Sequence, residues 1–328
     1  MKDTIETREL IVLDSPEGIV RGTYHKTCDD SAGAELGPIE RDRVGVLFLN
    51  STSPTRAGNG DAAVHLADSF AEDGYPSFRI DLPGFGDSDE NPPAELLDFI
   101  NRGGYASIAS AIVRELVARF NLPGVVIVGH CAGSVSAVFT AATSRECKGL
   151  VLIGPYFNLP KPIRQTKLRR QLNLWITRSR IGGLADKVIV RLKEIRRSIR
   201  RDVLPENANF PLLSCWKELA SRGLPILILK GLDRKAADTK LRSGEFDYFQ
   251  YIQRLTDRRC QITIELADGA SNAFQNRLGQ AAVRQHTQQW LKLCFPLTGL
   301  KNPDVSTSRR EPGNREHDFE NSQQCLKV

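Results

Sequence analysis

The residues with the clearest chemical potential are Val128-Gly129-His130-Cys131-Ala132-Gly133-Ser134. They fit the pattern G-x-S-x-G with cysteine in the serine position. An apolar run, 125–129, precedes them and a small-residue helical pattern begins at Ala132. In such a turn the middle residue is strained, and its side chain projects from the C-terminal edge of a sheet. The flanking glycines are needed because strand and helix pass too close for a Cβ. Cys131 is therefore the candidate nucleophile, with its thiolate at the positive end of a helix.

A nucleophile of this kind needs an acid and a base supplied by later strands, in the chain order nucleophile, acid, base. The run 225–231 reads as a strand and leads into Gly231-Leu232-Asp233, which makes Asp233 the candidate acid. After the strand pattern 260–266 comes Ala267-Asp268-Gly269-Ala270-Ser271-Asn272. Asn272 stands where the base would be expected, and an amide cannot accept a proton at neutral pH. His25, His65, His286 and His317 fall at positions that suit surface or packing histidines, and His130 is the variable residue of the turn, a candidate substrate contact. The amide of Ala132 and one from Ser51 or Thr52, after the third strand, would form an oxyanion hole. Arg56, in the same loop, is available to an anionic substrate group.

These groups require a doubly covered, mostly parallel sheet. Strand-like runs at 8–14 and 19–25 flank Ser15-Pro16-Glu17-Gly18 and read as a hairpin. Buried-strand patterns follow at 44–50, 76–81, 125–129, 149–154, 225–231 and 260–266, with helical patterns at 61–73, 105–120, from 132 and at 275–294. The alternation predicts an α/β fold. Residues 161–202 hold 14 Lys or Arg against 3 acids, a net +11, whereas the whole chain carries +6. The remaining residues thus sum to 6 − 11 = −5, so this segment has a surface of its own. Its apolar stripe from Ile181 to Ile199 predicts a long helix. The expected organisation is a core of 1–154 and 221–298, a basic helical cap at 155–220 and a polar tail at 299–328.

With 41% hydrophobic and 26% charged residues, a disordered or collagen-like chain is excluded. No apolar run approaches the roughly 18 residues needed to cross a bilayer. The opening MKDTIETREL lacks a basic and an apolar region, so a cytoplasmic location is expected. Seven cysteines, scattered and without a C-x-x-C pair, argue against a disulfide framework or a zinc ribbon. No metal or cofactor is expected. No recognised nucleic-acid motif accompanies the basic segment, which suits an acidic surface better.

Taken together, SPTRAG, DLPGFGDSD, GHCAGS, the Arg-rich insert after GPYFN, LILKGLD and GASNAF resemble the α/β-hydrolase superfamily in its serine-aminopeptidase-like branch. More narrowly they resemble the exosortase A system-associated hydrolases of exopolysaccharide gene clusters, in the subgroup with cysteine at the nucleophile. The resemblance covers roughly 8–295. It implies Cys131 as nucleophile and Asp233 as acid, and it carries the family's histidine onto Asn272. Two functions stay open: a hydrolase or acyl transferase acting on a small ester or thioester, neutral or anionic, and a catalytically degenerate binding module.

Overall fold

The computed structural model describes residues 7–28, 43–50, 54–160, 204–231, 246–256, 261–267 and 277–297. Eight strands form one sheet: β1 (Arg8–Ser15), β2 (Gly18–His25), β3 (Gly45–Asn50), β4 (Ser77–Asp81), β5 (Val125–His130), β6 (Cys147–Ile153), β7 (Ile226–Gly231) and β8 (Ile262–Ala267). Their spatial order is β1-β2-β4-β3-β5-β6-β7-β8. β1 and β2 pair antiparallel, as do β2 and β4, and every pairing from β4 to β8 is parallel. All strands read from sequence are present, with ends shifted by no more than two residues.

Among the described residues seven α-helices accompany them: α1 (Ala62–Glu72), α2 (Leu96–Asn101), α3 (Ala106–Arg119), α4 (Ala132–Thr143), α5 (Phe210–Ser221), α6 (Tyr248–Leu255) and α7 (Arg277–Cys294). Side chains alternate across a strand, and the central strands, apolar on both faces along their middle stretches, feed two cores. Val46, Phe48, Val126, Val128, Val151, Ile153, Leu227 and Leu229 pack with Leu66 and Phe70 of α1 and Val283 and Trp290 of α7. Their neighbours Leu47, Leu49, Val125, Ile127, Leu150, Leu152, Ile226 and Ile228 pack with α3, α4 and α5 on the other face.

From Ala132 to Ala141 every residue of α4 is buried. Small residues make this possible, because they let the helix lie close on the sheet on one side and against α3 and α5 on the other. Arg222 caps its far end, donating from Nη1 to the Ala141 carbonyl at 2.6 Å and from Nη2 to that of Ser144 at 3.1 Å. α5 was not resolved from the basic segment by its sequence pattern. It is part of the core: Leu212, Leu213, Trp216, Leu219 and Ala220 are buried. Asn209 caps it, its Oδ1 accepting from the Leu212 amide at 3.1 Å, and a proline enters the first turn. The basic run 161–203, including the stripe from Ile181 to Ile199, lies outside the described residues, as does the tail. Among the described residues no helix is long and apolar enough to cross a membrane.

Candidate active site

β5 delivers the chain to a sharp turn. Cys131 has φ 53° and ψ −112°, a backbone conformation that L residues rarely adopt, and its side chain is exposed. Such a residue costs on the order of 1–3 kcal/mol and persists only when its surroundings enforce it. Here they do. The Cys131 amide donates to the Ile153 carbonyl of β6 at 2.8 Å, and its carbonyl accepts from the Ser134 amide at 3.1 Å. The Ser134 hydroxyl, fully buried, donates to the Gly129 carbonyl at 2.7 Å. Gly129 is obligatory on space alone: a Cβ there would lie 2.4 Å from the Gly133 carbonyl oxygen and 2.7 Å from Ser134 Cα. Ala132 opens α4, so its amide belongs to the helical turn that lacks intrahelical acceptors.

The loop after β3 is locked to the glycine-rich turn after β4. From sequence, Arg56 is a candidate contact for an anionic substrate. In the structure its guanidinium is engaged within the chain. Nη1 donates to Asp81 and, at 2.7 Å, to Asp87, and Nε donates to the Thr23 hydroxyl at 3.0 Å. Burial opposes its charge, but the hydrogen bonds of Asp87 and Asp81 outweigh that, and its pKa is raised. Arg56 therefore acts as a brace between loops, and its motif partner is DLPGFGDSD.

Two comparisons bear on this geometry. A family model described as alpha/beta hydrolase fold matches residues 54–176, which span the brace, β4, the Cys131 turn and β6. DcsB, solved in complex with its substrate analogue, is 14% identical at a TM-score of 0.53, with 87% of this chain and 99% of that chain covered. The chain has the α/β-hydrolase fold. A dienelactone hydrolase from Anabaena variabilis (13% identity, TM-score 0.50, 88% and 99% covered) is similar in fold. So is a lidless serine hydrolase from Xanthomonas campestris (13%, 0.50, 89% and 96%). No curated protein sequence matches the chain.

Within this α/β-hydrolase fold, β7 ends at Gly231, two residues before Asp233, and β8 ends opposite it at Ala267. Leu229 of β7 is level with Ile153, and Ile153 with His130, so β5, β7 and β8 leave the sheet at one edge. Asp233, Asn272, Ser51 and Thr52 themselves lie outside the described residues. His130 is half-buried, and burial holds its imidazole down at about 4, so it is neutral at pH 7. His25 belongs to a polar column beneath the brace, His65 is exposed on α1, and His286 lies 4.0 Å from Glu265.

One residue escaped the sequence reading. Tyr156 follows β6, and burial first and the charge of Cys131 second push its phenol up to about 12, so it keeps its O–H proton at pH 7. Its only sequence signal is its place just after Gly154, where the chain turns with φ 58°. Among the described cysteines Cys28 is exposed as well as Cys131, while Cys147 is buried.

Proposed function

We propose that this α/β-hydrolase-fold protein is an acyl-transferring hydrolase that uses Cys131 on a small ester or thioester. The observation that carries the reading is the enforced, exposed, strained Cys131 between strand and helix. Strain of this size at an exposed side chain has no packing benefit, so its benefit lies in presenting the sulfur. In the reaction the Cys131 thiolate attacks the carbonyl carbon. A C–S bond forms, and the carbonyl π pair moves onto oxygen. The Ala132 amide and one from the loop after β3 hold that oxyanion. Collapse expels the alkoxide or thiolate, which takes a proton from water, and leaves a thioester on Cys131. Water then attacks this acyl-enzyme, releasing the carboxylic acid and returning the thiol.

Replacement of the usual base by Asn272 acts unequally on the two halves. A cysteine thiol is a few per cent thiolate at pH 7 without help, so acylation survives. Deacylation needs an activated water and becomes the slow step. Asp233 keeps its place as the acid in this reading, and Tyr156 donates to the developing charge. His130 is a substrate contact in this reading, as a neutral imidazole, and the +11 segment at 161–202 favours an acidic partner. The motif likeness to exosortase-associated hydrolases supports work beside exopolysaccharide synthesis.

The test is turnover of a panel of small thioesters and esters by the wild type, Cys131→Ala and Cys131→Ser. Release of the leaving group that depends on Cys131 supports an enzyme. Binding of panel members without any Cys131-dependent release would instead make the protein a binding module.

A further inference from the structure

The proposed oxyanion hole needs a well-placed loop after β3, and among the described residues that follow β3 the backbone of Arg56 is held by two side chains of β4. Arg79 and Asp81 are two residues apart on β4 and so share one face; both are buried, at 6% and 1% exposure. They hold the backbone of one residue, Arg56, through the two peptide groups that flank its Cα. The Arg56 amide donates to Asp81 Oδ1 at 2.5 Å, and the Arg56 carbonyl accepts from Arg79 Nη1 at 3.1 Å. A third bond joins the Pro54 carbonyl to the Gly86 amide at 2.9 Å. Gly86, with φ 52°, gives Asp81 its room: a Cβ there would fall 2.2 Å from the Asp81 carboxylate.

The buried guanidinium of Arg79 is itself held in register. Its Nε–H donates to His25 Nε2 at 2.8 Å, which obliges His25 to carry its proton on Nδ1 and donate to Asp68 Oδ1 at 2.7 Å. Asp68, on α1, is in turn paired with Arg8 of β1. This polar column runs from the exposed Arg8 through four elements to the buried Arg79. Desolvating that guanidinium is costly, and such a buried charge is often replaced by apolar packing at no loss of stability. Its end point is the Arg56 backbone. β3, which leads into that loop, is level at Leu49 with Gly129 of the Cys131 turn.

We propose that Arg79 and Asp81 are positioning residues, a clamp on the backbone either side of Arg56 that restrains the chain from which the second oxyanion donor is expected. This rests on the acyl-transfer reading. Removing an oxyanion donor outright costs about 10²–10³ in rate. Loosening its loop should cost roughly 10- to 100-fold.

The experiment compares wild type, Asp81→Ala, Asp81→Asn and Arg79→Gln. Acylation is read as the burst of p-nitrophenolate from p-nitrophenyl butyrate, and alkylation of Cys131 by iodoacetamide, which needs no oxyanion hole, is read beside it. Folding of each variant is checked by thermal melt, and either altered position alone suffices if the other does not fold. The clamp predicts burst rates about 10- to 100-fold lower in Asp81→Ala and Arg79→Gln, with alkylation unchanged. It also predicts recovery in Asp81→Asn, whose amide oxygen still accepts from the Arg56 N–H. A wild-type burst that folded variants reproduce overturns the clamp alone. Alkylation falling in parallel with the burst also overturns it, because the variants then disturb Cys131 itself. Absence of any burst from the wild type overturns the acyl-transfer reading and the clamp with it.

Discussion

Gly129 and Gly154 lie at successive strand ends and make opposite demands, so exchanging each for alanine separates two physical effects. At Gly129 the backbone is ordinary and the space is missing. An alanine Cβ would sit 2.4 Å from the Gly133 oxygen, 2.5 Å from its carbonyl carbon and 2.7 Å from Ser134 Cα. All three are backbone atoms of α4, so no side chain can swing away. Restoring ordinary contact near 3.4 Å requires the start of α4 to retreat by about 1 Å, an overpacking displacement worth about 1–3 kcal/mol. At Gly154 nothing lies within 4 Å of the added Cβ, but φ is +58°. That substitution costs only the left-handed penalty of roughly 1–2 kcal/mol. The sharper difference is in function. A 1 Å retreat carries the Ala132 amide and Cys131 with it and should cost about 100-fold in acylation. Gly154→Ala should stay within a few-fold. Thermal melts give the stability of both variants, and single-turnover acylation gives the rate. Equal rates for the two variants at matched stability would refute the claim that close strand–helix approach sets the geometry of Cys131.

Three further outcomes follow from the structure. His25 is held down at about 4, chiefly by burial and then by Arg79, whereas an unfolded histidine titrates near 6.5. The unfolded chain therefore takes up the proton first, and stability falls as pH drops from about 6.5 toward 4, by up to about 3 kcal/mol; urea midpoints should show this slope reduced in His25→Gln. Asn272→His should raise steady-state turnover of a thioester by about 10²–10⁴-fold with little change in the acylation burst, since general-base help falls on the slow step; an unchanged steady state in a folded variant would contradict that assignment. The +11 segment should bind vesicles containing anionic lipid at low salt and release them at high salt, because such charges are screened within about 8 Å at physiological ionic strength; binding indifferent to lipid charge or salt would remove the acidic-partner proposal.

Sequence reading succeeded where the signal was local. Strands β3, β5, β6 and β7 each contain an apolar run of at least four residues, and the Cys131 turn is spelled by glycines, of which Gly129 is needed for steric, short-range reasons. It missed helices whose stability comes from tertiary packing. α2 has six residues and follows two prolines; α6 has an amphipathic face of which only Ile252 is buried. α5 has an Asn cap and a first-turn proline, but it lies soon after the basic run, and it is the burial of Leu212, Leu213, Trp216, Leu219 and Ala220 that assigns it to the core. The duty of Arg56 was illegible because its carboxylate partners are 25 and 31 residues away, brought near by the parallel pairing of β3 with β4. Tyr156 was silent for the same reason: its neighbour Cys131 belongs to a different strand end.

The central claim is that Cys131 takes up an acyl group. Incubation with a small thioester, followed by intact mass measurement and peptide mapping, tests it most directly. The account predicts one acyl adduct, on the peptide containing Cys131, formed faster than any on the equally exposed Cys28 and absent in Cys131→Ala. An adduct that forms no faster on Cys131 than on Cys28, or none at all, would contradict it.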